Sequence, residues 1–137
     1  MIAAVFDTNV LVSGVLAPDG SPGKLLEAML GGLCQPVVTD AILAEYEDTM
    51  NRPKFRFSAS RSRALLDGVR AYAAYAPYAP VGHAAALPDP DDDVIFLEAA
   101  FGLNVPIVTG NIGHFPKHLA KHISVFSPAA SLAQLSA

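Results

Sequence analysis

The chain is poor in the features that mark several familiar classes of protein. It has a single cysteine, Cys34, in 137 residues, so one chain can form neither an internal disulfide nor a cysteine-rich zinc cluster. It has no run of 18 apolar residues of the kind that spans a membrane. Residues 1–6 lack the basic segment of a signal peptide before Asp7 interrupts them. These absences predict a cytoplasmic protein that does not enter a membrane.

Charge is scarce as well. Only 16% of the residues are charged and the net charge is −4, whereas proteins that bind nucleic acids are commonly basic. Five of the nine Lys and Arg residues nevertheless lie between Arg52 and Arg63. This segment is either a solvated loop or a contact for RNA phosphate or a protein partner. Its candidate contact residues are Arg52, Lys54 and Arg56.

Short apolar runs alternate with helical patterns along the chain. The hydrophobic fraction of 52% excludes a disordered chain, and the length predicts a single domain over residues 1–137. Strands are predicted at 2–6, 36–38, 105–108 and 123–126. Helices are predicted at about 22–30, 40–51, 58–73 and 91–102, with a short one after Ser127. This alternation is typical of an α/β protein with a parallel sheet covered on both faces.

Acidic and amide side chains follow the ends of these strands. Asp7 directly follows the first strand, Glu45 lies in the helix after the second, and Asn111 lies just after the third. Asp91–Asp93 open the helix that leads into the third strand. Because ligands bind beyond the carboxyl ends of parallel strands, we expect these groups to converge. Converging carboxylates repel one another unless a cation neutralises them. Mg²⁺ or Mn²⁺, which prefer oxygen ligands, are therefore the expected ions.

Each acidic residue also has a plainer interpretation. Asp7 alone could be a turn or cap residue. Glu45 flanks the apolar stripe of its helix and could be solvated. The triple aspartate at 91–93 could cap a helix, but one carboxylate suffices for a cap. Three adjacent carboxylates repel one another, and the second and third do not add as much helix stability as this repulsion costs. The triple aspartate is therefore the feature that most favours a functional interpretation.

Three histidines spaced by four residues, His114, His118 and His122, invite a metal interpretation. Pro116 lies between the first two, so the three need not share one helix face. Histidines that are solvated or packed are the stronger interpretation of this pattern.

Four motifs, in order, resemble those of the PIN-domain family. Val5–Leu11 is similar to the opening motif, and Glu45 stands where the family has its helix glutamate. Asp89–Asp93, followed by the apolar and small residues of 95–100, resembles the third acidic motif, and Val108–Asn111 resembles the fourth. The set extends over essentially the whole chain. It looks most like the compact prokaryotic PIN proteins that are toxin components of toxin–antitoxin pairs.

The resemblance implies a three-layer α/β/α sandwich with a central parallel sheet. It also implies Mg²⁺- or Mn²⁺-dependent cleavage of RNA by metal-activated water, with a cognate antitoxin protein as inhibitor and a homodimer as the assembly. The implied catalytic residues are Asp7, Glu45, Asp92 and Asn111, and the implied metal ligands are Asp7, Glu45, Asp92 and Asp93. Thr8, Asn9 and Thr109 are implied to orient ligands and water. Register against Ile95 places the third acid of the family on Asp92, with Asp91 and Asp93 left open.

The fourth motif departs from the family pattern, because Asn111 stands where many relatives have aspartate. A neutral amide oxygen is a weaker ligand for a hard cation, so the number of bound metals stays open. This departure and the acidic net charge support an alternative, a non-catalytic PIN-like module that binds RNA or protein. An aspartyl-phosphate phosphatase with Asp7 as nucleophile has less support. Asn9 stands where such enzymes want a second aspartate, and no lysine lies between Arg70 and Asp93.

Overall fold

A sheet of five parallel strands, in the order β3-β2-β1-β4-β5, forms the centre of the protein. The computed structural model describes residues 2–135. The strands are β1 Ile2–Phe6, β2 Cys34–Val38, β3 Ala74–Tyr75, β4 Ile107–Val108 and β5 Val125–Phe126. The helices are α1 Thr8–Leu16, α2 Ser21–Leu30, α3 Asp40–Met50, α4 Ala59–Tyr72, α5 Pro90–Leu103, α6 Lys117–Ala120 and α7 Pro128–Leu135. The predicted α/β/α arrangement around a parallel sheet is confirmed.

The apolar run at the start of the chain forms β1, the central strand of the sheet. It lies between β2 and β4 and pairs with both in parallel, with Ile2 opposite Cys34 and Val5 opposite Ile107. Ala4, Val5 and Phe6 have no exposed surface, because helices cover both faces of the sheet. The sheet centre therefore holds the end of β1, and the residue that follows it, in a fixed position.

The ends of several helices follow local sequence signals. The Thr39 hydroxyl accepts a hydrogen bond from the Ile42 amide at 3.2 Å and caps α3. The Ser58 hydroxyl caps α4 in the same way through the Arg61 amide. At the other end of α5, Asn104 adopts a left-handed conformation with φ 54°, which ends the helix. Both caps are local signals, because Ser and Thr are preferred at this position.

Helix α1 and strand β3 were not predicted from the sequence. Helix α1 contains four β-branched residues and Gly14, which have low helix propensity, but it forms because Val10 and Leu11 are buried in the core and the helix packs on α2 and α3. Strand β3 has only two residues, and its pairing with β2 is a tertiary contact without a local signal. The predicted helix at 58–73 accordingly ends at Tyr72, whose side chain is 43% exposed. Within residues 2–135, the helices are too short or too polar to cross a membrane.

Candidate metal centre

Asp7 and Thr109 meet where the two central strands end. Phe6 of β1 pairs with Val108 of β4, so the next residues of both strands lie side by side. The Thr109 hydroxyl donates a hydrogen bond to Asp7 Oδ2 at 2.8 Å. The Asp7 carboxylate is almost fully buried and makes no capping hydrogen bond to α1, although Asp7 is the N-cap residue. A capping role therefore does not explain this aspartate.

Asn9 connects the first and fourth motifs. Its amide nitrogen donates to Asp7 Oδ2 at 3.3 Å, and its amide oxygen accepts from the Gly110 backbone N–H at 3.1 Å. The Asn111 backbone N–H in turn donates to the Thr109 hydroxyl at 3.0 Å. The loop after β4 is thus tied to the start of α1, and both hold the Asp7 carboxylate in place.

Asp93 brings a second buried carboxylate to the same edge. Helix α5 leads into the parallel strand β4, so the start of α5 lies at the carboxyl edge of the sheet. Asp93 is 4% exposed, and His114 Nδ1 lies 3.0 Å from Asp93 Oδ2. This distance allows an ion pair, but the angle is wrong for a hydrogen bond, so the oxygen accepts none. Asp89 completes the group, because ligand atoms of Asp89, Asp93 and His114 lie within 4.8 Å of one another.

Crowding of negative charge changes how these groups titrate. Burial, reinforced by the charge of Asp7 and opposed by His114, raises the pKa of Asp93 to about 6. Burial also raises the pKa of Asp7, although the hydrogen bond from Thr109 opposes this shift. Burial and the charge of Asp7 raise the pKa of Tyr46, whose hydroxyl donates to the Phe6 carbonyl. The edge therefore holds two carboxylates that are costly to ionise together.

The structure distinguishes the members of the triple aspartate. Asp91 and Asp92 are exposed, whereas Asp93 is buried beside His114 and close enough to Asp7 for their charges to interact. The structure thus brings Asp93, and not Asp92, close to other candidate ligands, while the assignment of the third acid to Asp92 by register stays a prediction. The physical reason is the helical turn, since successive residues of α5 point in directions about 100° apart and one of the three faces β1.

The side chains of Glu45 and Thr8 make no hydrogen bond to Asp7 or Asp93 among the described residues. Glu45 is half-buried on α3, and its carboxylate accepts a hydrogen bond from Thr49 at 3.0 Å. Among the described residues, the group of ligand atoms that lie within 4.8 Å of one another contains Asp89, Asp93 and His114 but neither Glu45 nor Asp7. Thr8 is buried at the start of α1, and its hydroxyl has no hydrogen-bond partner among residues 2–135. Its role as an orienting residue stays a prediction.

His114 is the site residue that the sequence interpretation missed. It lies in a short 3₁₀ turn, Ile112–His114, and a 2.8 Å hydrogen bond joins its Nε2 to the Asn111 side-chain amide. His118 is exposed on α6, and His122 packs with its ring edge against Phe101 at 5.1 Å between ring centroids. The expectation of solvated or packed histidines fits these two, whereas His114 contacts Asp93 and Asn111 and is a candidate ligand that the sequence interpretation did not favour. The usable signal was its position three residues after Asn111, one turn beyond the fourth motif.

The basic segment between α3 and α4 combines exposed cations with aromatic rings. Arg52 pairs with Asp48 at 3.4 Å, and both side chains are exposed. The Lys54 ammonium lies 5.0 Å from the centroid of the Phe55 ring, which stacks on Phe57 at 5.5 Å. The third candidate, Arg56, is exposed and has φ 53°. All three cations are available to an anionic partner.

The sequence profile of the PIN domain family matches residues 3–113. The chain belongs to the PIN-domain family. No curated protein matches it significantly. The matched segment contains all four motifs and the carboxylates of Asp7, Asp89 and Asp93, but it ends one residue before His114. PIN domains are generally nucleases and typically use divalent metals.

The residues at this edge fit a divalent cation. Within residues 2–135, Asp93 Oδ2 and Thr8 Oγ1 are the buried side-chain oxygens that lack a hydrogen-bond partner. A buried carboxylate oxygen without a partner is costly in free energy, and such exceptions in native proteins often mark an ion or a water. A cation between the carboxylates would supply the missing partner and cancel the repulsion between Asp7 and Asp93.

Proposed function

We propose that this PIN domain is a metal-dependent endoribonuclease that hydrolyses RNA phosphodiester bonds. The observation that carries the proposal is the pair of buried carboxylates, Asp7 and Asp93, at the carboxyl edge of the sheet, where Asp93 Oδ2 accepts no hydrogen bond and lies 3.0 Å from His114 Nδ1. These two residues and Asp89 would hold Mg²⁺ or Mn²⁺, and Glu45 would join them by giving up its hydrogen bond to Thr49. When bound, the ion lowers the pKa of water and stabilises charge in an in-line displacement at phosphorus.

The remaining residues of the centre would position these groups. Thr109 and Asn9 both donate to Asp7 Oδ2 and so fix the orientation of the carboxylate. Thr8, with its free buried hydroxyl, would orient a ligand or water from the start of α1. Asn111 is exposed at the rim, where its side chain can contact RNA phosphate or water. The proposed centre is therefore rigid around Asp7 and open toward solvent at Asn111.

The basic segment supports RNA as the substrate. Arg52, Lys54 and Arg56 are exposed cations that can bind phosphates. The neighbouring Phe55 and Phe57 rings stack on each other and are half-buried against the core, so the cations carry this argument. We propose single-stranded RNA as the substrate class, with this segment as a contact site outside the metal centre.

The resemblance to toxin components supports a cellular role. We propose that the protein is the toxin of a type II toxin–antitoxin pair in the cytoplasm, that a cognate antitoxin protein inhibits it, and that it forms a homodimer. Leu16, Leu30 and Leu33 are 58%, 40% and 65% exposed, and a dimer contact that covered them would remove apolar surface from water. Light scattering after size exclusion should give twice the monomer mass of 14.3 kDa. A mass of one chain at micromolar concentration would contradict the homodimer.

Cleavage of a mixed single-stranded RNA pool tests the proposed activity. Purified protein is incubated with Mg²⁺, Mn²⁺ or EDTA, beside Asp7→Asn and the matched control Asp19→Asn, which changes an exposed aspartate in the turn before α2. We expect cleavage that needs the metal, is lost in Asp7→Asn and is retained in Asp19→Asn. If Asp7→Asn cleaves at the wild-type rate, the assignment of Asp7 fails.

Asn111 favours one second candidate, a PIN domain that binds RNA or protein without cleaving it. A neutral amide replaces an acid at the rim, which lowers the number of negative ligands available to a cation. This candidate predicts that the folded protein binds a divalent ion and shows no turnover with any of them. The phosphatase alternative is weaker still, because the hydroxyl that it would use, that of Thr39, caps α3.

A further inference from the structure

We infer that His114 is itself a ligand of the cation, so that the centre prefers Mn²⁺ and later transition-metal ions to Mg²⁺. The inference rests on the metal site of the proposed function and adds a nitrogen donor to it. His114 lies outside the segment that the family profile matches, 3–113. It is therefore a feature of this chain that the match does not supply.

The first argument is the geometry between His114 and Asp93. Nδ1 lies 3.0 Å from Asp93 Oδ2, in an arrangement that leaves this buried oxygen without a hydrogen bond. Two neighbouring ligands of an octahedral cation, each about 2.1 Å from it, are themselves separated by about 3.0 Å. The separation of the two atoms and their lack of a hydrogen bond are thus what shared coordination requires. Asp89 supplies a further carboxylate oxygen within 4.8 Å.

The second argument is the contact on the other side of the imidazole. A histidine that ligates through one ring nitrogen usually donates the N–H of its other nitrogen to a nearby acceptor. His114 Nε2 lies 2.8 Å from the Asn111 side-chain amide. When the amide is turned so that its oxygen faces the ring, Asn111 accepts Nε2–H and leaves the Nδ1 lone pair free to bind a cation near Asp93. Asn111 would then act as a positioning residue for His114.

The donor type determines which ion the centre prefers. Mg²⁺ binds oxygen ligands almost without exception, whereas imidazole nitrogen suits Mn²⁺ weakly and the later first-row ions more strongly. In this chain a neutral Asn111 stands where many relatives have an acid, and His114 stands one turn later beside Asp93. The exchange of an oxygen donor for a nitrogen donor would lower the affinity for Mg²⁺ relative to Mn²⁺.

Pulsed electron paramagnetic resonance of the Mn²⁺-loaded protein tests the inference directly. A coordinated imidazole nitrogen modulates the spin-echo decay of Mn²⁺, and labelling histidine alone with nitrogen-15 changes that modulation. We expect the nitrogen signal in the wild type and in the matched control His118→Asn, which changes an exposed histidine on α6. We expect its loss in His114→Asn. Calorimetric titration should show that His114→Asn lowers the ratio of Mn²⁺ to Mg²⁺ affinity on the order of tenfold.

The outcomes separate this inference from the proposed function. Bound Mn²⁺ without a nitrogen signal in the wild type overturns the role of His114 and leaves the nuclease proposal standing. A nitrogen signal in a protein that cleaves no RNA supports the ligand and overturns the nuclease. A wild type that binds Mg²⁺ but not Mn²⁺ overturns the inference alone, and one that binds neither ion overturns both. Because the labelled wild type carries the decisive signal, the test remains valid even if His114→Asn does not fold.

Discussion

At the scale of single residues, the decisive feature is which aspartate of the triple faces the sheet. Asp93 is buried, contacts His114 and is close enough to Asp7 for their charges to interact, while Asp91 and Asp92 remain exposed at the start of α5. The exposed pair still has a favourable position, because negative side chains stabilise the N-terminus of a helix by about 0.3–1 kcal/mol. Within one short acidic run, Asp91 and Asp92 thus stabilise the helix, and Asp93 belongs to the candidate metal centre.

Substitution of these neighbours should separate the two roles. We expect Asp93→Asn to lower RNA cleavage by on the order of 100-fold or more, because it removes a charged ligand. We expect Asp92→Asn to change it less than about threefold, since the side chain adds only long-range charge. Initial cleavage rates at saturating Mn²⁺ provide the measurement. An equal loss in the two variants would return the assignment to the register of the motif.

The raised pKa of Asp93 predicts an unusual pH dependence of stability in the metal-free protein. The carboxyl loses its proton at about 6 in the folded protein and near 3.8 in the unfolded chain. The folded state therefore binds more protons between these values, and the free energy of unfolding should fall as the pH rises through this window. Asp93→Asn lacks this titration, so its stability relative to the wild type should increase from about pH 4 to about pH 6.

Urea unfolding in EDTA at several pH values in this window measures the difference in the free energy of unfolding between the wild type and Asp93→Asn. The same comparison in a His114→Asn background removes the titration of the neighbouring imidazole from the result. Parallel pH profiles of the wild type and Asp93→Asn would contradict the raised pKa.

At the scale of elements, the contact between α3 and β1 holds the helix that carries Glu45. Tyr46 is fully buried, and its hydroxyl donates to the carbonyl of Phe6, the last residue before Asp7. This contact connects the glutamate helix to the strand that positions the first aspartate. Displacement of α3 would therefore change the distance between the two motifs.

Tyr46→Phe tests this connection. Loss of the buried hydrogen bond should lower the free energy of unfolding by about 1–2 kcal/mol without emptying the core. The matched control is Tyr78→Phe, because Tyr78 is 87% exposed. Urea unfolding of both variants supplies the measurement, and equal stability of Tyr46→Phe and the wild type would show that the contact does not stabilise the fold.

The basic segment between α3 and α4 carries a separate prediction. Replacement of Arg52, Lys54 and Arg56 by alanine should weaken binding of single-stranded RNA and reduce its salt dependence, because fewer counterions are released. The logarithmic salt slope should fall by about 2, since each phosphate contact contributes roughly 0.7. Binding titrations with Asp7→Asn protein avoid cleavage during the measurement. An unchanged salt slope would mean that the segment does not contact RNA and is either a solvated loop or a contact for a protein partner.

At the scale of the whole molecule, metal binding should stabilise the folded state. A ligand that binds only the folded chain adds about 2.7 kcal/mol at 100 times its dissociation constant. For a domain of this size, that corresponds to a rise in Tm on the order of 10 °C. We expect this rise with Mn²⁺ in the wild type and its absence in Asp7→Asn. Thermal unfolding with and without EDTA gives the result, and equal shifts in both proteins would place the metal elsewhere.

Much of this architecture is determined by local sequence. The apolar run of β1, the caps at Thr39 and Ser58 and the order of the four motifs are sufficient to predict a parallel α/β fold with acids at its carboxyl edge. Each depends on residues close together in the chain, where periodicity and capping preferences operate. Helix α1 and strand β3 were missed because tertiary burial and pairing, rather than local propensity, stabilise them.

Only the tertiary structure decided the composition of the centre. The choice of Asp93 over Asp92 depends on the rotation of α5 relative to β1, which motif register does not specify. The inclusion of His114 depends on a 3₁₀ turn that folds back onto a residue 21 positions earlier in the chain. The unpaired Asp93 oxygen likewise results from atoms that meet across elements. Sequence determined that acids gather at one edge, and packing across the sheet determined which of them face one another.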